Sequence, residues 1–137
     1  MSFTMEELFD KAQQAALAAY APYSKFRVGA ALLSIDGQVF IGCNVENRSF
    51  GLTICAERGA VMHAVSKGCR SFTAIAIAAP DSPVPVPPCG ACRQVLSEFM
   101  PPDARVYFGG ASVERVNATI GALCPFDSLH DLASGVD

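Results

Sequence analysis

Charge is scarce in this 137-residue chain: Asp, Glu, Lys and Arg make up 17% of it, against a usual share of roughly 25%. The ten Lys and Arg residues are scattered and never form a run. Polymeric nucleic acids attract proteins through clustered cations and counterion release, so a chain with a net charge of −3 and no basic cluster is not expected to bind one. A small neutral ligand fits better. No apolar stretch approaches the roughly 20 residues that span a bilayer. The opening residues, MSFTMEELFDK, carry acid where a secretory signal carries base. A cytoplasmic protein with no membrane partner is expected.

Apolar residues are plentiful, at 51% of the chain. Residues 1–137 suit a single domain with one packed core, and the apolar excess favours self-association. Six cysteines are present. A reducing compartment makes metal binding, catalysis or burial a better explanation for them than disulfides.

The spacing predicts a first helix that starts at a capping box, Thr4 with Glu7, and runs through Met5, Leu8, Phe9, Ala12, Ala16 and Ala19 until Pro22 stops it. Two β-rich runs follow, FRVGAALLSI and QVFIGCNV, joined by Asp36 and Gly37, a pair that predicts a type I′ hairpin. CAERGAVMHAVSKG reads as a helix with Thr53 near its start and Gly68 as its left-handed stop. FTAIAIAAP is continuously apolar, as in a strand covered on both faces. After the Pro-rich loop DSPVPVPP come a helix, GACRQVLSEFM, and a strand, ARVYFGG. The tail SVERVNATIGALCPFDSLHDL has room for one short strand and one short helix. Strands alternating with helices imply right-handed crossovers and a sheet between helical layers.

Two short stretches carry chemistry. In PPCGACRQ, Cys89 and Cys92 form a CxxC pair at the opening of a helix, where two sulfurs can converge on a tetrahedral zinc ion. A redox pair opens a helix in the same way, so the motif alone leaves both uses open. In TICAER, Cys55 stands at another helix opening after a strand and adds a third sulfur. Two crossover helices can aim their N-termini at one spot, and the partial positive charge there stabilises thiolates. Three ligands leave one tetrahedral position for water, the arrangement of a catalytic zinc rather than a closed structural one. Glu57, two positions beyond Cys55, can then collect a proton from that water without ligating the ion.

CxE followed by PCxxC is the zinc deaminase pattern with Cys in place of His as first ligand. Together with PYSKFRVGAALL and GCNVEN, these motifs resemble the cytidine deaminases of the small homotetrameric, zinc-dependent type. The resemblance runs in the family's order as far as Phe99. It implies a three-layer α/β/α fold with a mixed sheet of about five strands, and zinc held by Cys55, Cys89 and Cys92 with Glu57 as proton shuttle. Asn44 and Glu46 match the pair that hydrogen-bonds the ribose hydroxyls, Phe26 matches an aromatic near the base, and Ala56 falls at a substrate contact. Residues i and i+2 of a strand share a face, so Asn44 and Glu46 can meet one sugar. In CAER the matching Arg58 hydrogen-bonds ligand sulfurs, offsetting the formal −1 charge of three thiolates on Zn²⁺.

The resemblance also implies a nucleoside substrate, deaminated with release of ammonia in pyrimidine salvage, and a tetramer with shared active sites. There the chain departs from the family. NRSF stands where Asn-Ala-Ser-Tyr is usual, so Arg48 and Phe50 fall in the segment that reaches a neighbouring subunit's site. The tail reads PFDS in place of Pro-x-x-Phe, which puts Ser128 at the interfacial phenylalanine position and leaves Phe126 as its nearest substitute. Cys43, Cys69 and Cys124 lack ligand spacing and read as small hydrophobes. His63 lies two turns beyond Cys55, too far for the same ion, and His130 lies in the tail. Two other readings stay open on sequence. A deaminase of a modified cytosine nucleoside or nucleoside antibiotic would keep the same zinc centre. A structural zinc module would close it with a fourth ligand such as Cys43 or His63.

Overall fold

The computed structural model describes residues 3–127 together with 129 and 132. Its elements are α1 (Met5–Ala16), β1 (Gly29–Ser34), β2 (Val39–Cys43), α2 (Ala56–Ser66), β3 (Phe72–Ala78), α3 (Gly90–Phe99), β4 (Arg105–Gly109), β5 (Arg115–Thr119) and α4 (Ile120–Leu123). The strands form one mixed sheet in the order β2-β1-β3-β4-β5. Only β3 and β4 pair in parallel, with α3 as the crossover between them.

The capping box forms as expected: the Thr4 hydroxyl accepts from the Glu7 N–H and the Glu7 carboxylate accepts from the Thr4 N–H, each at 3.0 Å. The helix ends sooner than Pro22. The N–H groups of Leu17, Ala18 and Ala19 bond three residues back, and Tyr20 leaves to donate to the Asn44 carbonyl at 3.0 Å. Pairing with the end of the hairpin outcompetes another helical turn.

The hairpin forms with its strands antiparallel as expected, but Leu33 lies opposite Val39 and Ser34 bonds Gln38, so Ile35, Asp36 and Gly37 make a three-residue loop and the turn is not the expected type I′. That turn needs positive φ at both central residues. Of Ile35, Asp36 and Gly37, only Gly37 is in the left-handed region (φ 90°), and its N–H donates to the Ser34 carbonyl at 3.0 Å. The loop is therefore a right-handed turn closed by one left-handed glycine. Asp36 is held in it by the Ser34 hydroxyl and by the Gln38 amide at 2.8 Å.

Side chains alternate across the sheet into two layers. Leu32, Ile75, Ile77, Val106 and Phe108 pack against α2, α3 and α4, joined by Leu96 and Ile120. Ala31, Ala74, Ala76 and Ala78 face Leu8, Phe9 and Ala12 of α1. The small residues let α1 settle close: a Cβ on Gly29 would lie 1.9 Å from the Ala12 carbonyl oxygen. Gly42 does the same for α2, because a Cβ there would come within 2.5 Å of both the Ala56 carbonyl and the Ala60 nitrogen. That contact sets the height of the N-terminus of α2 over the sheet. Among the described residues, no helix is long and apolar enough to cross a membrane.

Candidate active site and metal centre

The openings of α2 and α3 meet at one end of the sheet. Cys55 is the N-cap of α2 and Cys89 the N-cap of α3, while Cys92 lies in the first turn of α3. Neither capping thiol accepts a backbone N–H of its own helix, so the sulfurs remain available to something else. What precedes Cys55 is a 3₁₀ turn over Phe50–Leu52 and a single bridge between Ile54 and Val45, not the expected strand.

All three thiols are free, and their sulfurs lie within 4.8 Å of one another. The Cys55 and Cys89 sulfurs are 3.9 Å apart. A tetrahedral zinc with Zn–S of about 2.3 Å sets its sulfurs about 3.8 Å apart. Spacing and soft donors both fit zinc. The Arg58 guanidinium donates to the Cys55 sulfur at 3.3 Å. Hydrogen bonding from Cys92, and then from Arg58, pulls the pKa of the Cys55 thiol down to about 5, whereas the same sharing and burial push that of Cys92 up. Glu57 is 4% exposed, and burial pushes its carboxyl up to about 7.

A cavity of about 190 Å³ opens onto this cluster. Cys55, Ala56, Glu57 and Cys89 form one part of its lining, Val28, Asn44 and Thr53 another, and Ile77, Ala79, Val86 and Pro87 the rest. Phe26 and Glu46 are not among the lining residues. The Glu46 carboxylate accepts from the N–H groups of Tyr23 and Ser24 at 3.0 and 3.2 Å and from the Ser24 hydroxyl, which holds it below the usual carboxylate range. Phe26 is half-buried beside them, its carbonyl accepting from the Asn44 amide at 2.8 Å. Asn44 also accepts from the Val28 N–H at 2.8 Å.

Arg48 is exposed, Phe50 is 72% exposed with its ring edge-on to Tyr23, and Phe126 is fully exposed. Ser128 and His130 lie outside the described residues. His63 sits away from the sulfurs, its Nδ1 3.2 Å from the Ile41 carbonyl. Cys43, Cys69 and Cys124 are half-buried. The apolar walls at Val28, Ile77, Ala79, Val86 and Pro87 escaped the sequence reading. Their stretches were read for fold or motif alone: Val28 in FRVGAALLSI, Ile77 and Ala79 in FTAIAIAAP, Val86 and Pro87 in the Pro-rich loop.

Comparison with known proteins decides between deaminase and structural zinc module. The profile of the family described as the cytidine and deoxycytidylate deaminase zinc-binding region matches residues 3–109. The chain belongs to this deaminase family. It is 52% identical over 118 residues to a cytidine deaminase of Halalkalibacterium halodurans, covering 86% of this chain and 89% of that protein. It is 47% identical over 121 residues to the cytidine deaminase of Sporosarcina psychrophila, covering 88% of each. A crystal structure of cytidine deaminase from Burkholderia pseudomallei superposes with a TM-score of 0.86 at 44% identity, covering 90% of this chain and 98% of that one. The three-layer fold with its mixed five-stranded sheet is thus a deaminase fold, and zinc is the metal that the family's description names.

Proposed function

We propose that this protein deaminates cytidine and 2′-deoxycytidine to uridine and 2′-deoxyuridine with release of ammonia, in the cytoplasm, as a step of pyrimidine salvage. The observation that carries the reading is a buried carboxylate, Glu57, opening into the same cavity as Cys55 and Cys89, two of three convergent thiols. Cys55, Cys89 and Cys92 would hold the zinc, which when bound supplies a Lewis acid that makes water nucleophilic near neutral pH. Glu57 takes a proton from the attacking water and places it on ring N3 as the C4–O bond forms. It then passes a second proton to the C4 amine as the C–N bond breaks and ammonia leaves. Water supplies the oxygen and both protons, so no other reactant is needed.

Ala56 offers its backbone N–H, one of the unpaired donors at a helix N-terminus. Asn44 keeps one amide hydrogen and one carbonyl lone pair beyond those used on Phe26 and Val28, and Glu46 keeps one of about four acceptor sites beyond its three bonds to Tyr23 and Ser24. That residual capacity is what the ribose hydroxyls would take. Phe26 braces this side of the site near the base. Arg58 tempers the charge of the thiolates.

The assembly in this reading is a homotetramer in which Arg48, Phe50 and Phe126 reach a neighbouring subunit's site. Supporting it are large apolar residues left exposed, including Leu17 at 68% and Met62 at 57%. Ammonia release from cytidine, deoxycytidine and free cytosine tests the function. Turnover of both nucleosides is expected. A zinc-loaded protein that releases no ammonia from either would overturn the reading.

A further inference from the structure

Residues 23–28 belong to no helix or strand, yet most of their backbone N–H groups are held by side chains. Tyr23 and Ser24 donate to Glu46, Phe26 to the Ser24 hydroxyl, Arg27 to Asp81 and Val28 to Asn44. Glu46 and Asn44 follow β2, and Asn44 lines the cavity. Asp81 comes from elsewhere. It stands in the loop between Ala79 and Val86, both of which line the cavity.

We propose that Arg27 and Asp81 are positioning residues that hold the loop leading from Ala79 to Val86 and Pro87 against the segment that runs into Val28, a role that rests on the deaminase reading of the site. The Asp81 carboxylate accepts the Arg27 backbone N–H at 2.9 Å and takes the guanidinium as a two-pronged pair, Nε at 3.0 Å and Nη2 at 2.8 Å. Three bonds to one carboxylate fix both distance and orientation, which a single lysine bond could not. Each end is anchored. Val28, the next residue after Arg27, is itself a lining residue. Next to Asp81, Ser82 donates its N–H to the Ala79 carbonyl at 3.0 Å and its hydroxyl to the Val84 carbonyl at 2.7 Å, and its own carbonyl receives the Ala111 N–H at 2.7 Å. The stretch that carries Asp81 is therefore stiff, and displacing the pair shifts the loop that brings Val86 and Pro87 to the cavity.

The side chains of Arg27 and Asp81 are 40% and 27% exposed. An ion pair this wet adds little to global stability. Its effect belongs to substrate binding, and cytidine carries no charge that either residue could pair with directly.

Steady-state kinetics on zinc-loaded Arg27→Gln, Arg27→Lys, Asp81→Ala and the Gln/Ala double variant test the proposal. KM is expected to rise about 3- to 5-fold in Arg27→Gln, where only the ion pair is lost, and about 10-fold in Asp81→Ala, where the backbone bond is lost too. Turnover number should stay within about twofold, since nothing touching the reacting atoms moves. Lysine should not rescue, and Arg27→Gln should add nothing in the Asp81→Ala background. Hydrogen exchange at amides 26–28 should quicken in both single variants, a readout that needs no activity. Unchanged KM with unchanged exchange overturns the proposal, as do full rescue by lysine and additive effects in the double variant. If the parent protein deaminates no nucleoside, the functional reading fails by itself, and unaltered exchange at 26–28 then decides against the staple.

Discussion

Each residue at the site owes its character to its immediate surroundings. Glu57 is buried with a carboxyl raised by desolvation, and among the described residues no other carboxylate lines the cavity. With the sole acid and base removed, Glu57→Gln is expected to lower turnover by about 10²- to 10⁴-fold while retaining the metal. Activity assays beside metal analysis of that variant check it. Asp81 provides a second residue-level test. The hydrogen-bonded Arg27 guanidinium holds its carboxyl down to about 2, below the roughly 3.9 of an unfolded chain. A depressed folded value means the staple's contribution is complete above pH 4 and fades as pH falls toward 2. Following the Asp81 carboxyl carbon by NMR should give a midpoint near 2 in the native protein and a higher one in Arg27→Gln, still short of the unfolded value because the backbone N–H bond remains. Individual residues were also the most legible part of the sequence. Cys55, Glu57, Cys89 and Cys92 could be picked out because each metal-site motif is local, a CxE and a CxxC. The Asp81 staple gave no such signal, since its partners stand 54 residues apart.

At the scale of elements, the site depends on two helix openings being held at the right height above a sheet. Gly42 is the closest point of that arrangement for α2. Gly42→Ala forces α2 outward, with an expected cost of about 1–3 kcal/mol, and because the shift falls on Cys55 and Glu57 it should also speed loss of zinc to a chelator. Thermal unfolding and chelator competition measure the two effects separately. Helices and strands were legible from caps and periodicity, as Thr4 with Glu7 and the apolar run of β3 illustrate. Their ends were less so. α1 stops short of Pro22 because Tyr20 finds a partner in Asn44, and the β1–β2 turn differs from type I′ because Asp36 is bound by its neighbours. Both outcomes depend on contacts that are absent from a local reading. The 3₁₀ turn before Cys55 is another case: the chain must swing from the end of β2 to the start of α2, and a strand there would carry it past the cluster.

For the whole molecule, the layered fold could be anticipated from alternating strands and helices, whereas the order β2-β1-β3-β4-β5 is a product of long-range pairing. The residues exposed at Leu17, Met62 and Phe50 belong to this scale too. Sedimentation equilibrium is expected to give four times the chain mass, and charged substitution at Met62 should dissociate the assembly. A monomer at micromolar concentration would remove the shared-site part of the proposal. Everything catalytic in the account depends on one metal ion held by three sulfurs. Native mass spectrometry addresses this most directly: the chain should carry one zinc, and Cys89→Ser, which alters the most exposed of the three thiols, should lose it or bind it far more weakly. A native chain that carries no zinc, or a Cys89→Ser protein that keeps zinc as tightly as the parent, would contradict it.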